Sequence, residues 1–443
     1  MKHLQASPHF SRRSFLRSGG AAAAAMGFGG HAFARMGPKP ELVPHFAPRA
    51  KNVIMIFLSG GVSHVDSFDP KPDLDKLEGK YLPSPWEASR KGKNGTLTTD
   101  LFPEVSNCID DITLIRSMHG DHNNHTAATL GMHTGSVTSP RPSLGSWISY
   151  ALGTSNPNLP GHIVLSKEPS YAGSLAWDSN FLPANHQGVH ARPGVEPIRN
   201  LKPIRGATQP ALLNMLAGLN ASHADTRPDN DLLARQQSFE TAASMELAAP
   251  TIFDFARESQ ATKELYGLTN SATETFAWQC LAARRLVESG VRFVELFDTG
   301  SHNNWDGAHG NILSHQPLAN AIDRPIAGLL KDLKQRGLLD ETLVIWCSEF
   351  GRTPRAEGSK GRNHHSKAFT TWLAGGGTKR GYVHGATDES GSKVIEGHVH
   401  THDFHATILH ALGLDHKRLT YRHNGRDFRL TDVAGNVAHE VFA

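Results

Sequence analysis

Aspartates and histidines collect in a few loops of this 443-residue chain, and each of those loops follows an apolar run. NVIMIFL, residues 52 to 58, opens onto SGGVSHVDSFDPKP with His64, Asp66 and Asp69. VRFVELF, residues 291 to 297, opens onto DTGSHNNWDGAHGN with Asp298, His302, Asp306 and His309. TLVIWCSEF, residues 342 to 350, ends on Ser348 and Glu349 and runs into FGRTPR; GRNHHSKAF then brings His364 and His365. Imidazoles mixed with carboxylates suit zinc or a similar divalent metal, whereas all-oxygen sets suit calcium or magnesium. Asp298, His302 and Glu349, with His364 or His365 downstream, therefore read as a metal or anion site. Taken singly, each histidine has a plainer alternative, capping a turn or satisfying a buried carbonyl. Arg352 could bind sulfate or phosphate through paired guanidinium donors, as could Arg355, or each could make surface ion pairs.

Something must hold these loops together, and the runs before them supply it. NVIMIFLSGG is continuously apolar and stops at a Ser-Gly-Gly, as expected of a central strand buried on both faces. TETFAWQCLAARRLVESG puts Phe276, Cys280, Ala283 and Val287 on one helical face and stops at Gly290, ahead of the second strand. ANAIDRPIAGLLKDLKQRG repeats the design before the third and stops at Gly337. Helix, glycine, strand, twice over, predicts an α/β fold with a central, mostly parallel sheet covered by helices. Such sheets place ligands beyond the carboxyl ends of their strands, which is where the loops lie. Residues 150 to 210 lack periodicity and are expected to form a long loop-rich excursion over the sheet, with the stretch 181 to 188, FLPANHQG, as an exposed substrate rim. Residues 210 to 247 read as helical.

With 38% hydrophobic and 20% charged residues, the composition is that of a globular chain with material for a large core. A net charge of +3 gives no basic stripe, which sets nucleic acid aside as a partner. Cys108, Cys280 and Cys347 have no close spacing, so neither a disulfide framework nor a zinc knuckle is expected. At the amino end, SRRSFLRSGGAAAAAMGFGGHAFA pairs Arg12 with Arg13 ahead of a short Gly/Ala-rich run ending in Ala-Phe-Ala. This reads as a twin-arginine export signal over residues 1 to 34, cleaved to leave Arg35, with no transmembrane segment in the mature chain and a periplasmic or secreted destination. Pro-rich residues 35 to 50 read as a linker, leaving residues 51 to 443 as one α/β domain.

The ordered motifs resemble a known family. DTGSH after an apolar strand is similar to the Asp-x-x-x-His of a metal site in the alkaline phosphatase superfamily, NHHSKAFTTWLAGGG resembles a later histidine followed by a strand, and HDFHATILHALGLD resembles the terminal helix of sulfatase-like proteins. With GGVSHVDSFDPKP and SEFGRTP, the series over roughly residues 51 to 430 resembles the exported, sulfatase-like family of the domain of unknown function fifteen-oh-one. The resemblance implies an alkaline-phosphatase-like sheet and a divalent metal, zinc in the first instance, with calcium or magnesium as alternatives. Asp298, His302 and His364 or His365 would hold one ion; Glu349, His64 and Asp66 would stand near a second. In TLVIWCSEFGRT, Glu349 and Phe350 occupy the places where that superfamily has Asp and His. Its nucleophile opens a helix upstream of a Thr-Gly pair; counting back from Thr134 and Gly135 in HNNHTAATLGMHTG lands on His125, beside the hydroxyl of Thr126. Either could be the catalytic group, and Thr126 could equally be a helix cap. Two functions follow: a metal-dependent hydrolase of sulfate or phosphate esters, small or polymeric, or a non-catalytic relative that binds a polysaccharide or cell-envelope partner.

Overall fold

The apolar runs become the middle of a nine-stranded sheet. A computed structural model of the chain describes residues 44–199, 201, 208–226, 230–299 and 304–443; the segment expected to be an export signal, the first part of the expected linker and His302 lie outside them. The described residues belong to one compact unit, Glu41–Ala443. In chain order the sheet contains β1 (Asn52–Leu58), β2 (Ile112–His119), β3 (His162–Leu165), β4 (Val189–Ala191), β5 (Phe293–Asp298), β6 (Thr342–Cys347), β7 (Phe369–Ala374), β8 (Tyr382–His384) and β9 (Val399–His400). Across the sheet they run β8-β2-β7-β6-β1-β5-β3-β4, with β9 also on β2. Only β7 opposes its neighbours; β1 lies parallel between β5 and β6.

Alternation along β1 explains its unbroken hydrophobicity. Ile54, Ile56 and Leu58 enter one core; Val53, Met55 and Phe57 enter another on the opposite face. The first core takes the apolar faces of helix Glu274–Glu288 and helix His315–Gln335, including Phe276, Cys280, Ala283 and Val287. The second takes residues of helix α1 (His125–Thr134) and helix α2 (Thr401–Ala411). Helices thus cover both faces of the sheet, as a parallel sheet demands. Gly290 and Gly337 follow the two long helices at φ of +95° and +71°, the left-handed geometry of a helix stop. Cys347 is buried core, and burial pushes its thiol pKa well up.

Two expectations need correction. The 150 to 210 stretch is not only a surface excursion: His162–Leu165 and Val189–Ala191 extend the sheet beyond β5. Strands of four and three residues are too short to leave a periodic signal. Within FLPANHQG, Leu182 is buried, and Phe181 packs on Tyr421, His423 and Phe428, so the first two residues of the supposed rim are internal packing. Nor are residues 44 to 50 a free linker. The amides of Arg49 and Ala50 both donate to the carbonyl of Ala411, at 2.8 and 2.9 Å, and Phe46 donates to Gly413. Among the described residues no helix is long and apolar enough to cross a membrane.

Candidate metal centre

Three elements bring one potential metal donor each to the carboxyl end of the sheet. Asn124 caps α1 by accepting the Ala127 amide, which makes His125 the first helical residue. Asp306 sits on the single turn Trp305–His309 beyond β5. His364 lies on the antiparallel hairpin Gly351–Glu357 and Gly361–His365, which follows β6. His125 Nε2 is 3.0 Å from Asp306 Oδ1 and 3.1 Å from His364 Nε2, and His364 Nε2 is 3.0 Å from the same Asp306 oxygen. Among the described residues this is the group whose nitrogen and carboxylate donors all lie within 4.8 Å of one another.

The surroundings fix those donors. Glu349, directly after β6, accepts from His125 Nδ1 at 2.7 Å and from the Gly60 amide at 2.8 Å. A carboxylate on Nδ1 settles the tautomer and turns the Nε2 lone pair toward the triangle. His364 is held the same way, its Nδ1 against the Asn123 carbonyl at 2.9 Å. The loop after β1 must run flush with the Asp306 turn: Gly60 has φ +118°, and a Cβ there would stand 2.6 Å from the Asp306 nitrogen.

Charge is concentrated here. Burial disfavours the imidazolium of His125, yet Asp306 and Glu349 outweigh it and raise its pKa. Burial also opposes ionisation of Asp306, but His125, His364 and Arg352 drive its pKa far below the carboxylate range. Three atoms that are all acceptors once deprotonated face one point, and with both neutral imidazoles carrying their proton on Nδ1, none of the three contacts holds a proton. A small divalent cation, bonded to N and O at about 2.0–2.2 Å, satisfies all three lone pairs at once, so the donor set fits such an ion. Two imidazoles and one carboxylate also leave positions for water or substrate.

The structure redistributes the residues that the sequence singled out. His125, Glu349 and His364 come together. Asp298 does not join them: Trp305 Nε1 and Asn304 Nδ2 both donate to its Oδ2, at 2.6 and 3.3 Å, and desolvation raises its pKa to about 6 despite those bonds. Asp66 is fully buried in a two-bond pair with Arg362, at 2.6 and 3.0 Å, and takes the Ser63 hydroxyl as well. His64 and His365 stack on each other and bond to the carbonyls of Gly391 and Ser392. Arg352 is no open anion receptor. Its buried guanidinium donates to the carbonyls of Gly60, Gly61 and Arg362 and to Asp306 Oδ1, the last at 2.8 Å, so four of its five N–H groups face acceptors of the protein itself. Thr126 is the second helical residue rather than the cap, exposed, with its hydroxyl 3.4 Å from the Tyr171 carbonyl.

The sequence match to the family described as Protein of unknown function (DUF1501) spans residues 50–442. The chain belongs to that family. No curated protein sequence matches it. Among solved structures, a sulfatase from Pseudoalteromonas sp. overlaps 83% of this chain and 68% of its own at 13% identity and a TM-score of 0.36. A phosphonate monoester hydrolase from Silicibacter pomeroyi overlaps 82% and 73% at 11% identity, TM-score 0.37. Alkaline phosphatase from the Antarctic bacterium TAB5 overlaps 74% and 92% at 12% identity, TM-score 0.33. Overlaps this loose leave the chemistry to be argued from the residues themselves.

Two residues of the centre carried too little signal to be chosen. Asp306 shares its loop with Asp298, and only the path of the turn decides which carboxylate arrives. Tyr171 comes from the aperiodic 150 to 210 stretch, yet its ring stacks on His125 with centroids 4.3 Å apart. Burial and the nearby Asp306 and Glu349 carboxylates push its phenol to about 12, so it stays protonated.

Proposed function

We propose that the protein is an exported, metal-dependent hydrolase of sulfate or phosphate esters, working at the centre formed by His125, Asp306 and His364. The observation that carries this reading is the convergence of two imidazole nitrogens and one carboxylate oxygen on one point at the carboxyl ends of the strands. A divalent cation held there, zinc in the first instance, supplies the charge that polarises an ester oxygen and acidifies an attacking water. The protein's own residues supply the rest. Glu349 orients His125, Arg352 holds Asp306 ionised, and the amino end of α1 faces the site with its dipole favouring an anionic ester. With the Thr126 hydroxyl turned to the Tyr171 carbonyl, the reading assigns the attack to water. Export follows from the twin-arginine reading of the first 34 residues.

The test pairs two variants on a panel of aryl sulfate and phosphate esters with zinc-loaded protein. Asp306→Ala is expected to abolish hydrolysis, by 100-fold or more, together with bound zinc; Thr126→Ala is expected to keep activity within about threefold. An Asp306→Ala protein that hydrolyses esters at the parent rate overturns the assignment.

A further inference from the structure

A second set of imidazoles lies at the edge of the sheet. β2 ends at His119 and β9 at His400, and the two residues are partners in parallel register, as are Met118 and Val399. Met118 and Val399 point into the core. The alternating positions, His119 and then Asp121 on one side and His398 and His400 on the other, therefore fall together away from it. The rings of His119 and His400 have centroids 5.1 Å apart and those of His119 and His398 5.6 Å. His400 Nε2 lies 3.1 Å from Asp121 Oδ1. None of these four side chains belongs to the triangle.

We propose that His119, His398 and Asp121 form a second divalent transition-metal site, of zinc or nickel type, with His400 as the residue that orients its carboxylate. Two imidazoles on one tetrahedral ion, each at a metal-nitrogen distance of about 2.0 Å, have ring centres about 5 Å apart, and the rings of His119 and His398, now 5.6 Å apart, reach that spacing by a small turn of His398. His400 is not a ligand, because its Nδ1 accepts the His402 amide at 3.2 Å as the cap of α2. Its proton therefore sits on Nε2 and is donated to Asp121, the carboxylate-to-imidazole support that metal sites use around their ligands. His398 is exposed and the Asp121 side chain is 59% exposed, so both can turn onto the ion without disturbing the core. The site is independent of the hydrolase reading.

Titration calorimetry of the full chain with zinc chloride separates the two. The parent is expected to bind two ions, Asp306→Asn to keep one, and His398→Ala to lose the other or weaken it at least tenfold with no change in melting temperature. His119→Ala is expected to act as His398→Ala does, with circular dichroism confirming its fold. If His398→Ala and His119→Ala bind zinc as the parent does, the second site is overturned and the triangle is untouched. If only those two variants lose zinc, the second site stands and the triangle falls. A parent that binds no zinc overturns both.

Discussion

His364 and His365 are neighbours in the chain and belong to different parts of the molecule. His364 pairs across its hairpin with Arg352, and both side chains reach Asp306. His365 pairs with Gly351 and faces the other way, onto His64, whose ring would be 2.7 Å from a Cβ at Gly351. Burial holds His64 down to about 4 and lowers His365 as well, so both are neutral. The carboxylates around His125 do the opposite. Strand alternation alone decides which imidazole meets carboxylates and which meets backbone carbonyls. Histidine content therefore says little about metal binding; what an imidazole's second nitrogen touches says much more.

The largest expected effect comes from the third functional-looking side chain of the same hairpin strand, Arg362. Asp66→Ala leaves its guanidinium buried without a countercharge and is expected to cost about 3–5 kcal/mol in urea unfolding; a loss under 1 kcal/mol would mean that Asp66 is available for other work. Next, His364→Ala should lower zinc affinity by about 100-fold or more, whereas His365→Ala should leave stoichiometry unchanged and lose about 1–2 kcal/mol of stability. Equal zinc losses in both would break the contrast. Glu349→Gln keeps the shape but removes the charge behind His125, and a 10- to 100-fold drop in zinc affinity is expected.

The smallest effect tests the carboxylate left outside the centre. A folded pKa of about 6 for Asp298, above its ordinary value of 3.8, means that folding takes up a proton. That contribution is complete below pH 4 and is lost as pH rises through 6. Asp298→Asn should therefore stabilise the protein by about 1–2 kcal/mol at pH 7.5 and make no difference at pH 4. Thermal melts at the two pH values measure it; a destabilised variant at pH 7.5 would return Asp298 to the list of groups that must be ionised.

The three middle strands β1, β5 and β6 were legible because they are buried on both faces and the helices before β5 and β6 end in glycine, whereas β2, β8 and β9 were not read. β3 and β4 were not, since strands this short at an edge need little hydrophobicity of their own. For the centre, the loops could be chosen from sequence but not the atoms. Glu349 and His364 were identifiable because they follow strands directly. His125 stood out through the helix start. Asp306, by contrast, is delivered by a turn that packs against one glycine far earlier in the chain, Gly60, and periodicity carries no trace of that contact.

The triangle joins residues separated by 239 positions, with His364 the last of them to be synthesised. A ribosome must therefore have made more than four-fifths of the chain before an ion can be clamped between all three. Until then His125 and Asp306 offer only two of the three donors. On the proposed reading a bound ion would act as a staple across a long loop, and a chain cross-linked in this way loses conformational freedom in its unfolded state. On that reading metal acquisition would be a checkpoint for the finished protein rather than an early step in its folding.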